Sequence, residues 1–395
     1  MEGKRFVGID LAKRHYEACV LEEQRPIRRW SGKTDFEGRA QLARNLCAGD
    51  VVALEAGASA INLARRLMKV EGVEVVLLNP ASLAIIYGSM KKTDKEDSLK
   101  LARIIQTMPK ESLPIVALPS KEEEQARRLA NQQMFLKQER TRMLNRLHGL
   151  FVEQGVTTIT KKDLAKQKAR SATLLQLSGV YRTMASQDCT LLAAIEEQIV
   201  LVNEEIHQML CARQGEAEIL MSIPGVGPVA ALAFLGFIGN GDRFANASQV
   251  SYYAGLVPRV DFSGDSVHHV GHITKKGSPA LRRALVQAAW SAVRTPMGSH
   301  FREVYDRIAA RRGKRIAIVA VARKILELMY TLMKKHELYC YATAEQRQRK
   351  LKLYKLGSLQ SGTVLNSTIG SPHAEEKRSQ LCQLPIGYVH LCISS

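Results

Sequence analysis

The stretch Phe6-Val7-Gly8-Ile9-Asp10 decides how the first part of this chain folds. It is a short apolar run that ends in a carboxylate, which predicts a buried strand. Such a strand is costly to bury unless the carboxylate meets a metal ion or a cation. Three more acids are placed to join Asp10, namely Glu55, Asp94 and Asp97. Four carboxylates from three elements favour Mg²⁺ or Mn²⁺, because these ions prefer oxygen ligands.

The elements around this stretch follow the order of the ribonuclease-H-like fold, in a predicted domain over residues 1–118. Three strands come first, and then helices alternate with two more strands before a proline-rich linker. The predicted strands are Phe6–Asp10, Tyr16–Leu21, Ile27–Trp30, Val51–Glu55 and Val73–Leu78. The predicted helices follow Asp35, cover Ser59–Val70, begin at Ser82 and cover Asp94–Gln106.

The four acids fall where that fold places its chemistry: the first strand, the end of the fourth strand and the last helix. Asp94 and Asp97 are three residues apart, so both lie on one side of a helix. A pair of metal ions held there can activate the attacking oxygen and stabilise the leaving oxygen in phosphodiester cleavage. The simpler interpretation is that Asp94 and Asp97 are solvated helix acids among neighbouring lysines.

A second interpretation of the same residues is an ATPase. Gly8-Ile9-Asp10 followed by Lys13 also resembles the first phosphate loop of the actin and sugar-kinase ATPases. Those proteins need a second Gly-rich loop. The nearest stretch, Glu55-Ala56-Gly57-Ala58, is a poor match, which weakens the ATPase interpretation.

Composition points to a polyanionic partner. The chain of 395 residues has a formal net charge of +19 and a pI near 9.7, which favours nucleic acid over an acidic membrane surface. Seven scattered cysteines without a CxxC pair favour reduced thiols in a cytoplasm over disulfides or structural zinc. The longest apolar run, Val229–Gly239, is too short to span a bilayer, and the N-terminus lacks the apolar region of a signal peptide. We expect no membrane partner.

Residues 119–215 predict a helical coiled-coil hairpin. Leucine or methionine recurs every seven residues on the first helix, at Leu129, Leu136, Met143 and Leu150. The second helix repeats apolar residues at alternating spacings of four and three, from Ile195 to Met209. An intramolecular spacer and a dimerisation arm explain this pattern equally well.

Residues 216–343 predict a mainly helical domain that opens on a helix-hairpin-helix turn, Ile223–Pro228. Gly225 and Gly227 would let backbone N–H groups approach a phosphate without reading sequence. A plain tight turn between two apolar helices is the alternative interpretation.

A glycine-punctuated basic loop follows, and it ends in a helix capped by Ser278. Its candidate nucleic-acid contacts are Lys275, Lys276, Arg282 and Arg283. Ser263 lies in the loop, but a serine is a weak nucleophile without an activating site. From local sequence alone it is more simply a turn residue. A helical stretch, Gly298–Lys335, carries a basic face, and residues 344–395 predict a disordered tail.

Several short motifs together carry a family resemblance over residues 5–335. They are Gly8-Ile9-Asp10, Leu54-Glu55, Lys92-Thr93-Asp94 with Asp97, Pro224-Gly225-Val226-Gly227, Gly255-Leu256-Val257-Pro258, Ser263-Gly264, and Gly271 to Gly277 with Leu281-Arg282. In this combination the chain resembles the DEDD transposases of the insertion-sequence "one-ten" family, which are recombinases guided by an element-encoded structured RNA. Ser278 stands where many relatives have Asn.

The resemblance implies a RuvC-like N-terminal domain and a C-terminal transposase domain with a catalytic serine. It assigns Asp10, Glu55, Asp94 and Asp97 as metal ligands and Ser263 as the nucleophile. The serine would form a 5′-phosphoserine link to DNA beside the Mg²⁺ site of a partner subunit, in a dimer or tetramer assembled through the coiled coil. The element would leave as a circle and reinsert at a site read by the guide RNA.

Two further functions stay open on the sequence. One is a metal-only RuvC-type endonuclease or junction resolvase in which Ser263 is structural. The other is a nucleic-acid-binding protein without catalytic activity, whose acids are relics.

Overall fold

The computed structural model describes residues 4–23, 25–80, 82–83, 94–261 and 269–354 of the chain. It leaves out the side chains of residues 94, 95, 260, 261, 269, 270 and 297. The chain divides into two compact units, Met1–Ser120 and Lys121–Ser395. The predicted boundary at residue 118 lies beside this division.

The first unit is a five-stranded mixed sheet with helices on both faces. The strands lie in the order β3-β2-β1-β4-β5; β2 is antiparallel to β1 and β3, while β4 is parallel to β1 and β5. The predicted mixed α/β unit is therefore confirmed. Its strands are β1 (Phe6–Leu11), β2 (His15–Glu22), β3 (Arg25–Lys33), β4 (Val51–Glu55) and β5 (Glu74–Leu78). Its helices are α1 (Phe36–Arg44), α2 (Ala58–Leu67) and α3 (Asp94–Thr107), and a 3₁₀ turn covers Lys110–Ser112.

Strand alternation builds two cores on the two faces of this sheet. Val7 and Ile9 of β1 pack into the core beneath α1 and α2, whereas Val51 and Ala53 of β4 pack into the core beneath α3. Helix α1 begins where predicted, because the Asp35 side chain accepts a hydrogen bond from the Gly38 N–H at 2.8 Å.

A pair of long helices opens the second unit. They are α4 (Lys121–Glu153) and α7 (Gly179–Ala212), joined through α5 (Lys161–Leu164) and α6 (Gln167–Leu174). Arg140 of α4 forms an ion pair with Glu196 of α7 at 2.8 Å, and Arg146 pairs with Asp188 at 2.9 Å. Later residues of α4 thus meet earlier residues of α7, so the helices are antiparallel. Their supercoiling as a coiled coil stays a prediction.

The remaining elements form a mainly helical domain around one core. They are α8 (Gln214–Ser222), α9 (Pro228–Phe237), α10 (Ala247–Ala254), β6 (Pro258–Asp261), β7 (His269–Ile273), α11 (Pro279–Arg294), a 3₁₀ turn (Pro296–Gly298), α12 (Ser299–Arg312), α13 (Lys314–Lys335) and α14 (Ala344–Leu353). Helix α9 is apolar on all sides and buried throughout most of its length. Ala126 and Ala130 of α4, with Ile206 and Leu210 of α7, belong to the same core.

Two sequence predictions are corrected here. The predicted basic loop contains a two-stranded hairpin in which β6 and β7 pair antiparallel, with Pro258 opposite Ile273. The prediction of a disordered tail from residue 344 is wrong for Ala344–Leu353, which forms α14. This helix is stabilised by a capping box between Thr343 and Gln346 and by the burial of Leu351. Residues 355–395 lie outside the described part of the chain. No described helix combines the length and apolarity that crossing a membrane requires.

Candidate active site and nucleic-acid contacts

The first two acids of the predicted metal site lie side by side at one edge of the sheet. Strand β1 pairs with β4 in parallel register, with Ile9 opposite Leu54. The next residue on each strand is an acid, so Asp10 and Glu55 stand at the carboxyl ends of two neighbouring strands. Asp10 is half-buried and Glu55 is exposed, so solvent reaches this edge.

Both acids belong to the sheet face that α3 covers. Alternate residues of a strand share a face, so Asp10 lies on the same face as Gly8. A Cβ atom at Gly8 would come within 1.9 Å of the Ser98 carbonyl oxygen, which shows that α3 crosses directly over this position. On β4, Ala53 belongs to the core beneath α3, and Glu55 lies two residues further along the same face.

Helix α3 begins near the acid end of β1. Phe6, at the start of β1, packs against the core that contains Ile104 and Ile105 late in α3. Gly8 instead lies against Ser98, nearer the start of that helix. Strand and helix therefore run in opposite directions, and the first turn of α3 points to the carboxyl end of β1. That turn carries the last two acids, Asp94 and Asp97.

Asp97, the last acid of the group, forms an ion pair within α3. The Asp97 Oδ1 atom lies 3.0 Å from Lys100 Nζ, and both side chains are half-buried. The Asp94 side chain is outside the described part. Among the described side chains, no three His, Cys, Asp or Glu residues are grouped as a metal site. The structure thus brings the four acid positions to one end of the sheet, while metal ligation stays a prediction.

Two cations at the same end were missed as site residues from sequence. Lys13 and Arg14 form the exposed turn between β1 and β2, closed by a 3.0 Å hydrogen bond from the Ala12 N–H to the His15 carbonyl. Thr34 fixes the turn, since its hydroxyl donates to the Lys13 carbonyl at 2.8 Å and its N–H donates to the Arg14 carbonyl at 3.0 Å. Their position in the sequence, directly after the apolar run that ends in Asp10, could have indicated these two residues.

The predicted nucleophile, Ser263, lies outside the described residues, between β6 and β7. The structure does describe how this hairpin is anchored. Thr274 donates its N–H to the Val257 carbonyl at 2.9 Å, and Lys275 donates to the Gly255 carbonyl at 3.2 Å. Gly277 permits the close approach, because a Cβ there would lie 2.1 Å from the Tyr253 carbonyl oxygen.

The four basic residues after the hairpin differ in their surroundings. Lys275 and Lys276 are exposed, and Lys275 has a left-handed backbone with φ of 54°. Arg283 is half-buried. Arg282 is turned to the backbone: its Nη1 donates to the Ala254 carbonyl at 3.2 Å and to the Gly277 carbonyl at 2.5 Å. Burial lowers the pKa of Arg282. Arg282 therefore has a structural role at the base of the hairpin.

The turn between α8 and α9 has the predicted glycines in distinct roles. Gly225 has φ of +81°, and a Cβ there would lie 2.1 Å from the Ala288 carbonyl oxygen, so it allows α11 to pack closely. Gly227 is the N-cap of α9 in extended conformation, and Pro228 follows at the first helical position. A nucleic-acid contact at this turn stays a prediction.

Helix α14 is fastened to the same turn, which the sequence did not predict. Lys350 Nζ donates to the Met221 carbonyl at 2.5 Å and to the Ile223 carbonyl at 2.9 Å. Burial lowers the pKa of Lys350 to about 8. A Cβ at Gly227 would lie 3.3 Å from the hydroxyl oxygen of Tyr354. The start of the predicted tail is thus part of the folded domain beside the glycine turn.

Comparison with known proteins gives two family matches: one covers most of the first unit and continues into the second, and the other lies within the second unit. The DEDD model of the IS110 type, described as Transposase, matches residues 7–155, and a model described as Transposase IS116/IS110/IS902 family matches residues 217–306. The first match contains the Asp10 and Glu55 strands and α3, and the second contains the glycine turn and the β6–β7 hairpin. The chain is a transposase, an enzyme that cuts and rejoins DNA.

The relatives give the particular family. The putative transposase y4rJ of Sinorhizobium fredii is 29% identical over 288 residues, which cover 67% of this chain and 72% of the relative. The transposase for insertion sequence element IS1111A of Coxiella burnetii is 27% identical over 358 residues, covering 86% and 92%. The pilin gene-inverting protein of Moraxella lacunata is 26% identical over 352 residues, covering 84% and 97%. The chain belongs to the IS110 family of DEDD transposases.

Proposed function

We propose that this transposase cuts and rejoins DNA at a divalent-metal site formed by Asp10, Glu55, Asp94 and Asp97, with Mg²⁺ or Mn²⁺ as the ion. The observation that carries the proposal is the parallel register of β1 and β4, which sets Asp10 beside Glu55 on the face that α3 covers. The all-carboxylate donor set fits these hard cations. When bound, the ion would offset phosphate charge and favour deprotonation of the attacking oxygen.

The chain's own cations support this site. Lys100 holds the Asp97 carboxylate by an ion pair of 3.0 Å, which fixes its orientation. Lys13 and Arg14, on the turn that Thr34 fixes, would bind phosphates of the DNA strand next to the cleaved bond. Their exposure and their place at the end of β1 support this role.

We infer that Ser263 is the nucleophile. Its Oγ gives up a proton and bonds to the phosphorus, and the 3′-oxygen of the DNA leaves and takes up a proton. The product is a 5′-phosphoserine link and a free 3′-hydroxyl, and attack by another 3′-hydroxyl on that link completes strand exchange. The family resemblance of the residues around Ser263 supports this role, and the backbone anchors of the β6–β7 hairpin supply a rigid base for the segment.

We also propose that the chain shares the domain structure, the nucleic-acid contacts, the subunit assembly and the RNA guidance that the family resemblance implies. The first unit is RuvC-like, the turn at Gly225 and Gly227 is a helix-hairpin-helix that contacts DNA backbone, and the exposed Lys275 and Lys276 bind phosphates with Arg283. The α4–α7 pair is a coiled coil that joins subunits into a dimer or tetramer. A structured guide RNA selects the target, and the reaction takes place in the bacterial cytoplasm.

Strand exchange between a donor and a target plasmid, with the guide RNA encoded beside the gene, tests the proposal. Asp10→Ala and Ser263→Ala should each abolish exchange, and EDTA should stop the wild-type reaction. The wild-type protein should also form a protein–DNA adduct that survives denaturation, which Ser263→Ala should lose. Free cleaved ends without an adduct would favour the metal-only RuvC-type nuclease or junction resolvase. DNA binding without any cleavage would favour the non-enzymatic alternative.

The role of RNA is tested separately. Exchange should need the transcript of the element's flanking non-coding region, and altered loops of that RNA should redirect the target site. Exchange that proceeds equally well without the transcript would remove RNA guidance and leave the metal and serine assignments in place.

A further inference from the structure

A dense group of positive charges surrounds the junction of α12 and α13. The two helices are separated by one residue, Gly313, which has φ of +83°. We call this junction the α12–α13 corner, and its basic residues are Arg307, Arg311, Arg312, Lys314 and Arg315. All five are exposed. They follow directly after the segment that the second family model matches, residues 217–306, so that match assigns them no role.

The basic residues of the corner have no direct acidic partner among the described residues. None of the five forms an ion pair or a side-chain hydrogen bond with another described residue. Further along α13, Arg323 pairs with Glu327 and Lys334 pairs with Asp242. What distinguishes the corner is its density, since four of its basic residues lie within the five positions 311–315.

At the start of α13 the arrangement opposes helix stability, whereas Arg311 and Arg312 lie in the last turn of α12, where the dipole favours cations. Lys314 and Arg315 occupy the first turn of α13, where the helix dipole favours acids, and no acid lies in that turn. Arg307 and Arg311 are four residues apart on α12, a spacing at which like charges repel. Repulsion that the fold does not relieve would be relieved by a bound polyanion.

The corner is held on a rigid base and is open to a partner. Phe301 and Val304 of α12 and Ala317 and Val321 of α13 are buried beneath it. A Cβ at Gly313 would meet no atom within 4 Å, so the backbone of the corner is accessible. An exposed basic surface on a packed base suits an extended charged backbone.

The residue types at the corner indicate whether it binds a single strand or a duplex. The sequence from Arg307 to Ala320 contains no aromatic residue, and the exposed apolar side chain at the corner, Ile316, is aliphatic. Proteins that hold single strands use aromatic side chains on which bases stack. Arginine and lysine without aromatic neighbours instead suit the phosphates of a duplex.

We propose that the α12–α13 corner is a docking site for the phosphate backbone of double-stranded DNA, which reads no sequence. The proposal rests on the proposed function, because the duplex is the DNA on which the transposase acts. It adds a contact surface apart from the glycine turn and from the basic residues after β7. Its contribution is electrostatic, so it depends on salt concentration.

The test compares two full-length variants with the same change in charge. The corner variant replaces Arg311, Arg312, Lys314 and Arg315 by Gln, and the control variant replaces Lys161, Lys162, Lys166 and Lys168 by Gln. Binding of a random-sequence DNA duplex is measured between about 50 and 200 mM salt. The corner variant should lose roughly three units of slope in log affinity against log salt, and its affinity should fall at least about tenfold at low salt. The control should lose less than about one unit.

Unchanged slope and affinity in the corner variant would overturn the proposal. The proposal would also be overturned if the corner variant lost binding to duplex RNA or to single-stranded DNA while its binding to duplex DNA stayed intact. Thermal unfolding checks the fold: the loss of Arg311 and Arg312 from the end of α12 is offset by the loss of Lys314 and Arg315 from the start of α13, so the melting temperature of the corner variant should stay close to that of the wild type. If that variant is poorly folded, the double variant Arg312→Gln/Lys314→Gln should show about half of the slope change. Strand exchange by the wild-type protein is measured in a separate assay. A protein that fails to exchange strands can still show the salt-dependent binding at the corner, and a corner without DNA binding leaves the proposed strand exchange in place.

Discussion

A side chain at Gly8 would collide with Ser98, whose carbonyl oxygen lies 1.9 Å from the position that a Cβ atom would take. Strand β1 and helix α3 therefore approach each other at backbone distance. The proposed metal site depends on this approach, because Asp10 lies two residues beyond Gly8 and Asp97 lies one residue before Ser98. The absence of a side chain at one position thus sets the separation of acids that belong to different elements.

Replacing Gly8 by Ala should destabilise the first unit and reduce strand exchange. The added methyl group must push α3 away from the sheet, at a cost of about 1–3 kcal/mol. Urea unfolding of the first unit measures this cost, and plasmid exchange measures activity. Gly57→Ser is the matched control, because a Cβ at Gly57 meets no atom within 4 Å and Ser is a favoured N-cap residue. Equal stability of the two variants would show that α3 adjusts without strain.

Arg5→Met should destabilise the first unit at neutral pH and do so less in acid. Asp50 is 1% exposed, and its Oδ1 lies 3.1 Å from Arg5 Nε. Burial raises the pKa of Asp50, while the Cys47 N–H and Arg5 lower it. Without Arg5 the folded state holds a buried unpaired carboxylate, at a cost of about 2–4 kcal/mol near pH 7.

The sign of the pH effect follows from the raised pKa of Asp50. The folded variant binds a proton more readily than the unfolded chain, so its stability relative to wild type recovers as pH falls towards 4. Urea unfolding at several pH values measures the difference. Lys110→Met removes the exposed pair with Glu74 and should change stability little at any pH. A deficit of Arg5→Met that is constant with pH would contradict this account.

Two glutamates of the long helices should differ in their effect on stability. Glu196 receives two bonds of 2.7 Å from Arg170, whose side chain is 4% exposed, and one of 2.8 Å from Arg140. Glu196→Gln would leave the buried guanidinium without a counter-ion and should cost about 3 kcal/mol. Glu139→Gln breaks the surface pair with Arg142 and should cost less than about 1 kcal/mol. Thermal unfolding compares them, and equal shifts would refute the ranking.

Lys350→Met should loosen α14, and the loss should grow with pH. The substitution removes the ammonium donor from the Met221 carbonyl and one of the two donors from the Ile223 carbonyl, at about 1–3 kcal/mol. Burial lowers the pKa of Lys350 from 10.5 to about 8, so between these values the unfolded chain binds more protons than the folded chain. Wild-type stability therefore gains from this group as pH rises through that range, by at most about 1.4 kcal/mol per pH unit.

Urea unfolding at pH values from roughly 7.5 to roughly 9.5 measures how the stability difference between Lys350→Met and wild type changes with pH. The control is Lys352→Met, measured in the same way. Lys352 is exposed on the same helix, so the difference between that variant and wild type should stay flat. If the Lys350→Met difference also stays flat, the ammonium is not buried in solution.

Strands β1 and β4 were predictable because apolar residues fill both of their faces and an acid ends each run. This pattern makes Asp10 and Glu55 candidates from the sequence alone, and the parallel register sets them side by side. The β6–β7 hairpin was not predictable in the same way. Its short strands mix polar and apolar residues without a long apolar run, and it is fixed by backbone bonds such as Thr274 to Val257 that no local pattern shows.

Helix α14 was missed for a related reason. A segment rich in Lys, Arg and Gln looks solvated, yet Lys350 contacts carbonyls at Met221 and Ile223, more than a hundred residues earlier. Arg282 is predicted as a nucleic-acid contact because the sequence shows its charge. The sequence does not show that its guanidinium donates to the Ala254 and Gly277 carbonyls. Ser263 and the side chain of Asp94 keep their assigned roles as predictions.

The position of α14 also determines how the protein can be shortened or extended for use as a tool. A truncation after Thr343 would remove the Lys350 donor from the Met221 and Ile223 carbonyls, of which Ile223 would keep the Val226 N–H at 3.2 Å. A cargo domain joined immediately after Leu353 would begin beside Gly227, at the turn proposed to touch DNA. The connection between α4 and α5 is a better insertion point, because Gly155 is exposed there and a Cβ on it would meet no atom within 4 Å.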